Sequence, residues 1–324
     1  MKPTPMAMGR DDAGAPALVI VNPTAGRGIT ERQWARLLGA VSEGLGELEA
    51  RFTDSPGHAT DIARDAALAG RRLVVAFGGD GTISEVAGGL LAAREVAGAG
   101  GDTELGIIPR GTGGDFRRSL ELPTDVAQAA RHIREHAARA IDVGRARFTA
   151  HVGAAATRFF VNVASFGFSS AVAARANVSS KAFGAKVAFL GATVATLASY
   201  QNVEVLLELD GAAPIRRTLM LGALGKGRFF GGGMKICPGA ELASGAFFLV
   251  LVGDLGKFEV LANLPRLFAG THVSLEDVRT ASVRTLSASP ADPAVEISLE
   301  LDGETPGRLP ATFEILPAAL RVRF

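Results

Sequence analysis

The stretch at residues 73–90, LVVAFGGDGTISEVAGGL, constrains the fold of this chain more than any other. Its pattern predicts an apolar strand at 73–77, a glycine-rich turn at 78–82 and a helix that starts near Ile83. In this arrangement, unpaired backbone N–H groups and the positive end of a helix dipole point at the same place. We therefore expect the turn to hold an anion, and a phosphate in particular.

The residue types within this turn support a phosphate site, with one exception. Gly78, Gly79 and Gly81 let the backbone approach a ligand without a Cβ clash, and Thr82 can cap the helix and offer a hydroxyl. The exception is Asp80, since a carboxylate in a phosphate cradle repels its ligand. Asp80 is explained if it positions Mg²⁺ or a metal-bound water. The alternative is a tight strand-to-helix turn with an acidic cap.

Two further loops have the same character. NPTAGRG at 22–28 follows an apolar strand at 17–21, and GIIPRGTGGDF at 106–116 is a strand that runs into a glycine and threonine loop. All three loops follow strands of what should be one parallel sheet, so they should emerge at the same carboxyl edge. That edge is where open α/β sheets bind their ligands.

Taken together, NPTAGRG, GGDGT and GTGGDF resemble the diacylglycerol kinase catalytic-domain family in order and spacing. This family includes bacterial lipid kinases and the sphingosine and ceramide kinases, and the resemblance covers nearly the whole chain. It implies an ATP- and Mg²⁺-dependent lipid kinase that phosphorylates a diacylglycerol-like or a sphingoid- or ceramide-like hydroxyl. It also implies a β-rich second domain, with the active site in the cleft between the domains.

The resemblance assigns roles to individual residues. Asp302, in the segment LDGE at 301–304, is expected to be the base that takes the proton of the acceptor hydroxyl. The Asp-Gly pair alone predicts only a hairpin turn, as Asp210 and Gly211 do, and position separates the two. Asp80 is the second catalytic candidate, and the metal candidates are Asp80, Asp115 and Asp142. The candidate nucleotide contacts are Asn22, Thr24, Gly26, Arg27, Gly78, Gly79, Gly81, Thr82, Glu85, Arg110, Gly111, Thr112 and Glu304.

The chain departs from the family pattern at two positions. Gly114 stands where the third loop usually has asparagine, which removes one side-chain hydrogen bond near the nucleotide. Ser244 stands where the family often has an aspartate that serves an accessory magnesium site. Lys226, in a Gly-Lys-Gly segment, lacks the pattern of a P-loop and is interpreted with Arg228 and Lys235 as scattered surface charge.

Length and element order predict two domains. The 324 residues, 48% of them hydrophobic, are enough for two cores. Strands and helices alternate over residues 17–145, which predicts a doubly wound, mostly parallel sheet. From residue 159 short strands and turns predict a mostly antiparallel second domain. The resemblance implies that the first domain is of NAD-kinase-like type and that the second is a β-rich sandwich. We place the nucleotide-binding domain at 15–145 and the lipid-substrate domain at 146–324, with the last strand free to return to the first domain.

The charge and the apolar segments limit which partners and which cellular location we expect. A net charge of +1 gives no reason to expect nucleic acid, and the single cysteine, Cys237, excludes an internal disulfide. The N-terminus does not read as a signal peptide, so we expect a cytoplasmic protein. A lipid kinase must reach its substrate at a bilayer surface, so the resemblance also implies transient membrane contact. A homodimer is left open. The uncharged stretch at 187–200 is too short to span a bilayer. It predicts a buried helix or, with Phe166, Phe168, Phe229 and Phe230, a groove for acyl chains.

Two other functions remain open. NAD kinases also carry GGDG after a strand and share the two-domain plan, but the N-x-G-x-L-G-F-like loop and N-E pair expected of them are missing here. A nucleotide- or lipid-binding protein without turnover is the other alternative, and Gly114 and Ser244 are its only hints. The presence of Asp80, Asp115 and Asp302 argues against it.

Overall fold

The computed structural model describes residues 15–26, 28–29, 31–97, 102–111, 113–178 and 185–324. Two candidate nucleotide contacts, Arg27 and Thr112, lie outside the described residues.

The first part of the chain alternates strands and helices, as predicted. Its strands are short apolar runs because both faces of a parallel sheet are covered by helices. The elements are β1 (Ala17–Val21), α1 (Glu31–Leu45), β2 (Leu48–Phe52), α2 (His58–Leu68), β3 (Leu73–Gly78), α3 (Asp80–Ala97), β4 (Glu104–Pro109), α4 (Asp115–Ser119) and α5 (Val126–Glu135). The strands pair in parallel in the order β2, β1, β3, β4.

The second part is mostly antiparallel, which confirms the predicted fold class. The stretch at 215–224 forms two strands, because the backbone N–H of Met220 between them donates to the carbonyl oxygen of Val252. The elements are β5 (Ala138–Ala150), β6 (Ala155–Phe160), β7 (Val163–Gly167), α6 (Phe168–Val178), α7 (Ala185–Ser199), β8 (Val203–Leu209), β9 (Ile215–Leu219), β10 (Leu221–Gly225), β11 (Phe247–Val252), α8 (Lys257–Ala269), a 3₁₀ turn (His272–Ser274), β12 (Val278–Val283), β13 (Thr285–Pro290), β14 (Ser298–Leu301) and β15 (Glu304–Arg323).

Two long antiparallel strands, β5 and β15, join the two parts of the molecule. The start of β15 pairs with β14 in the sandwich, whereas its end pairs in parallel with β4, with Arg321 opposite Glu104. The pairing of β5 with β15 shifts register between Leu316 and Leu320, and Ala318 lies there at a φ of 49°. The last strand thus extends the sheet of the first domain, and the two domains share one continuous sheet.

None of the helices in the described ranges is both long enough and apolar enough to cross a membrane. The apolar stretch at 187–200 lies mostly in α7, so the predicted helix is present. It is not wholly buried, since Val194 is 51% exposed.

Candidate active site

The three glycine-containing loops meet at one sheet edge. Asn22 Nδ2 in the first loop donates to Thr82 Oγ1, 3.0 Å away, and Arg110 in the third loop donates to the carbonyl oxygen of Gly28 at 3.3 Å. The backbone N–H of Arg110 also donates to the carbonyl oxygen of Gly78 at 2.7 Å. All three loops therefore lie together at the carboxyl edge of the sheet, as predicted. Thr82 lies within α3, which begins at Asp80, so its hydroxyl links two loops and does not cap the helix.

The first loop is held in shape by its own side chains. Asn22 Oδ1 accepts hydrogen bonds from the backbone N–H of Thr24 at 2.9 Å and from Thr24 Oγ1 at 2.8 Å. Gly26 has a φ of 69°, and a Cβ there would lie 3.2 Å from the carbonyl oxygen of Arg110. Asn22 and Gly26 thus fix the first loop against the other two.

The second and third loops touch through their backbones. A Cβ on Gly111 would lie 2.7 Å from the Cα of Gly79, and a Cβ on Gly113 would lie 2.7 Å from Asp80 Oδ2. The backbone contact leaves no room for a side chain at Gly111, and a side chain at Gly113 would displace the Asp80 carboxylate. These glycines therefore serve loop packing, whatever they also offer to a ligand.

Asp80 crosses from the second loop to the third and holds the start of α4. Its Oδ2 accepts from the backbone N–H groups of Gly114 at 2.7 Å and Asp115 at 3.3 Å, and its Oδ1 accepts from Phe116 at 3.3 Å. The acidic cap considered for Asp80 exists, but it caps the helix of the next loop. Gly114 has a φ of 66°, a value that suits glycine, and its backbone makes the bond to Asp80.

The three carboxylates predicted to bind metal do not meet in one cluster, and each accepts hydrogen bonds from protein donors. Asp115 Oδ1 accepts from Arg118 at 2.7 Å and its Oδ2 accepts from the backbone of Gly232 at 2.8 Å; burial raises the Asp115 pKa. Asp142 contacts other residues altogether. Within the described ranges, no group of three or more His, Cys, Asp or Glu side chains is placed to hold a metal ion.

Asp142 is instead paired with Lys226, which is not surface charge as its sequence context suggests. Lys226 is 0% exposed and Asp142 is 3% exposed, and Lys226 Nζ lies 2.9 Å from Asp142 Oδ2. Burial lowers the Lys226 pKa, although the bond to Asp142 opposes that shift. Burial alone would raise the Asp142 pKa, but hydrogen bonds from Ala318, Lys226 and Gly245 outweigh it and lower the pKa.

Asp302 lies where the two domains meet. Its Oδ2 accepts from Ser84 Oγ of α3 at 3.0 Å and from the backbone N–H of Val161 at 2.9 Å. Its Oδ1 accepts from the N–H groups of Asn162 at 2.9 Å and Val163 at 3.2 Å. Burial outweighs these four donors and raises the Asp302 pKa to about 6. The carboxylate is therefore mostly ionised at neutral pH and close to the pKa that suits a general base.

Glu300 lies directly behind Asp302 and was not found from the sequence. It is 4% exposed; its Oε2 accepts from Ser165 Oγ at 2.5 Å and its Oε1 accepts from the backbone N–H of Gly303 at 2.7 Å. Burial raises the Glu300 pKa to about 7. The bond to Gly303 holds the turn that presents Asp302.

Glu300→Gln is expected to stabilise the protein at high pH. Because the pKa of Glu300 is raised in the folded state, wild type has its full stability below pH 4.5 and loses part of it as pH rises to about 7. The shift in pKa corresponds to a loss of about 3 kcal/mol in the free energy of unfolding. Glutamine stays neutral, accepts from Gly303 and donates to Ser165. Urea unfolding should show the variant about 2–3 kcal/mol more stable than wild type at pH 8, and similar to it at pH 4.5. The exposed Glu276→Gln is the control; an equal gain there, or none in Glu300→Gln, would contradict this account.

Two further candidate contacts have different positions. Glu304 Oε1 lies 3.7 Å from where a Cβ on Gly81 would stand, so Glu304 reaches the glycine turn; its Oε2 pairs with Arg158 at 3.0 Å. Glu85 binds protein groups, and its contact with the nucleotide stays a prediction. Its two oxygens accept from the backbone N–H groups of Gly57 and Ala59, so it holds the start of α2.

An apolar cavity of about 80 Å³ lies in the second domain, between α6, α7, α8 and the sheet. Of the four aromatic rings predicted to line a groove, Phe168 and Phe230 line this cavity. Phe166 is stacked on Phe313 in the sandwich core, and Phe229 lies beside Lys235. The cavity is also lined by Thr193, Met234, Val260 and Leu264.

Comparison with known families agrees with the loop geometry. The diacylglycerol kinase catalytic domain matches residues 16–146, and the YegS C-terminal NAD kinase beta sandwich-like domain matches residues 162–324. The chain belongs to the diacylglycerol kinase family. It is accordingly a kinase of that family.

Individual relatives agree with this assignment. A diacylglycerol kinase of Mycobacterium tuberculosis (strain CDC 1551 / Oshkosh) is 33% identical over 258 residues, which are 79% of this chain and 78% of the relative. A diacylglycerol kinase of Staphylococcus carnosus (strain TM300) is 29% identical over 302 residues, 92% and 91% of the two chains.

Solved structures confirm the fold. A diacylglycerol kinase structure from Bacillus anthracis str. Sterne superposes with a TM-score of 0.68 at 21% identity and covers 95% of this chain and 96% of its own. Yeast NADH kinase, solved with NADH, has a TM-score of 0.50 at 11% identity and covers 96% of this chain and 83% of its own. The kinase thus has the NAD-kinase-like fold that the sequence predicts.

Proposed function

We propose that this kinase transfers the γ-phosphate of ATP to the hydroxyl of a diacylglycerol-like lipid at a membrane surface. The observation that carries the proposal is the position of Asp302. Its carboxylate comes from the second domain and is hydrogen-bonded to Ser84, two residues after Thr82 of the glycine turn in the first domain. A base is therefore held beside the loops that would hold the triphosphate.

ATP would lie across the three loops at the sheet edge. The backbone N–H groups of the glycine turn and the guanidinium of Arg110 supply positive charge there, and Arg110 Nε is buried without a hydrogen-bond partner among the described residues. Mg²⁺ would arrive with the ATP phosphates and neutralise their charge, because the candidate carboxylates already bind protein donors. No protein ligand for that ion is assigned.

The chemical step needs little more than positioning. The lipid oxygen attacks the γ-phosphorus, the bond to the β,γ-bridging oxygen breaks with ADP leaving, and the hydroxyl proton passes to Asp302. The four donors around Asp302 fill the directions in which a carboxylate accepts. The acceptor hydroxyl would therefore take the place of the Ser84 hydroxyl, the one donor among the four that can rotate away.

The apolar cavity is the proposed site for an acyl chain. Phe230 and Met234 belong to the same loop as Gly232, whose N–H donates to Asp115 Oδ2, so the cavity wall is bonded directly to the third nucleotide loop. A volume of about 80 Å³ holds only a few methylene groups. A long acyl chain would enter only if a wall moves. Helix α8 is the proposed wall, since none of its residues is fully buried and it covers the cavity only with half-buried side chains such as Val260 and Leu264.

Helix α8 is also the proposed contact with the membrane. Val260 and Leu264 face the cavity, while Phe258 and Leu261 on the other face are 88% and 43% exposed.

Phe258→Ser should therefore lower binding to diacylglycerol-containing phospholipid vesicles in sedimentation by about 10-fold without changing Tm, since one buried aromatic side chain contributes about 1.5–3 kcal/mol. Val152→Ser is the matched control, because Val152 is 89% exposed in the turn between β5 and β6. Equal binding by both variants would remove α8 from the membrane contact.

The substrate is tested by incubating the kinase with γ-labelled ATP and a panel of acceptors. Diacylglycerol should be labelled faster than a sphingoid base, ceramide or NAD. Labelling of NAD alone would establish the NAD kinase alternative. Nucleotide binding without labelling of any acceptor would point to a binding protein without turnover.

A further inference from the structure

The ammonium group of Lys226 occupies a closed cage of oxygen atoms. Its Nζ lies 2.9 Å from Asp142 Oδ2, 3.1 Å from Ser244 Oγ and 2.9 Å from the carbonyl oxygen of Ala246. An ammonium has three N–H donors, and here each has one acceptor. The side chain is 0% exposed, so nothing in the solvent competes for this position.

The cage ties separate parts of the chain together. Asp142 lies on β5, Lys226 follows β10, and the other two oxygens come from the segment that leads into β11. Asp142 also accepts from the backbone N–H groups of Gly245 at 2.7 Å and of Ala318 at 2.9 Å, at the register shift in β15. A cation at this point therefore joins the shared sheet to the second domain.

Carboxylate, hydroxyl and carbonyl oxygens are also the ligands that Mg²⁺ and Ca²⁺ prefer. The family pattern implies an accessory magnesium at the position of Ser244, but the residues present do not fit a divalent ion. The space is filled by an ammonium, and the cage has one carboxylate, which balances a single positive charge.

We propose that Lys226 is the built-in cation of this cage and replaces the accessory metal, so that the kinase is stable without a divalent ion here. The balance of charge is the reason: one carboxylate suits the monovalent ammonium, whereas a second carboxylate at position 244 would suit a divalent ion.

The first test uses the wild-type protein without nucleotide. After dialysis, metal analysis should find no stoichiometric divalent ion, and Tm should be the same in EDTA and in MgCl₂ or CaCl₂. Lys226→Met should lower Tm by about 5–10 °C, because it leaves Asp142 buried without its charge partner. Lys235→Met is the lysine control and should change Tm by no more than about 2 °C, as a half-buried surface lysine is worth little. A divalent ion bound to wild type and lost in Asp142→Asn would overturn the proposal.

The second test converts the cage. Lys226→Ala combined with Ser244→Asp supplies two carboxylates and vacates the centre, so Mg²⁺ or Ca²⁺ should raise the Tm of this double variant by several degrees. Adding Asp142→Asn should abolish that response. Ser244→Asp alone should give no response, since the ammonium still fills the cage, and this arm remains informative if the double variant fails to fold. A metal-dependent rise in Tm for Ser244→Asp alone, or none for the folded double variant, would contradict the proposal.

Discussion

Asp302→Asn is expected to lower kcat for phosphate transfer by at least about 10³-fold and to leave the Kd for ATP within about twofold of wild type. The asparagine keeps the shape of the side chain but cannot accept the hydroxyl proton. Its NH₂ group would face Ser84 and Val161, which both donate to Asp302 Oδ2 in the wild type. The Ser84 hydroxyl can rotate and accept a hydrogen bond, whereas the backbone N–H of Val161 cannot. We therefore expect a stability loss of about 1–3 kcal/mol as well. Steady-state kinetics, ATP calorimetry and urea unfolding check the three parts.

The chain supplies a matched control in Asp210→Asn. Asp210 and Asp302 share a φ of 50° and both precede a glycine in a tight turn. Asp210 Oδ1 accepts from the backbone N–H groups of Arg284 and Thr285, so its replacement also disturbs a turn. It should cost stability and leave kcat unchanged. An Asp302→Asn enzyme with more than a tenth of wild-type kcat would exclude Asp302 as the base.

The raised pKa of Asp302 adds a pH signature to this prediction. A base must be ionised to accept a proton, so kcat/KM should fall as pH drops through about 6, whereas an unshifted aspartate would act down to 3.8. Any activity left in Asp302→Asn should not show this fall in kcat/KM at acidic pH.

Asp80→Ala is expected to cause the second largest loss, through the third loop. It removes the acceptor of three backbone N–H groups at Gly114, Asp115 and Phe116, so the loop shifts away from the glycine turn. A displacement of about 1 Å at a reacting centre costs on the order of 10² in rate, and we expect kcat/KM for ATP to fall by that factor or more. The loss in unfolding free energy should be about 1–2 kcal/mol.

Asp125→Ala separates loop placement from simple helix capping. Asp125 caps α5 by accepting from the backbone N–H of Gln128 at 2.9 Å, and it is exposed. It should lose about 0.5–2 kcal/mol of stability with unchanged kinetics. If Asp80→Ala reduced stability to the same extent and kept its kcat/KM, Asp80 would be a cap and nothing more.

The loops and the fold class could be predicted because their signals are local. A buried strand that runs into glycines, as at Gly78 and Gly79, specifies a turn wherever it occurs, and parallel strands send such turns to one edge. Asp302 could be placed only through the resemblance, since its Asp-Gly pair is the same as that of Asp210. Its neighbour Glu300 left no sequence signal, because the burial of Glu300 depends on the pairing of β14 with β7 in the sheet.

The errors arose where a tertiary partner decides the role of a charged residue. Lys226 and Asp142 are 84 positions apart, and nothing near either one indicates that they pair in the interior. Glu85 closely follows the glycine turn in sequence, yet its carboxylate accepts from the backbone at the start of α2, which no local pattern indicates. Helix α8 was missed because its pattern includes Pro265 and its apolar residues are divided between a cavity and the solvent.

The central claim is that the three loops hold a triphosphate while Asp302 faces the incoming hydroxyl. A crystal structure with Mg²⁺ and a non-hydrolysable ATP analogue tests it most directly. We predict the β- and γ-phosphates against Gly79, Gly81 and Arg110, with the γ-phosphate on the side of the cleft where Asp302 meets Ser84. Phosphates bound away from these loops, or a γ-phosphate on the side of the loops away from Asp302, would contradict the account.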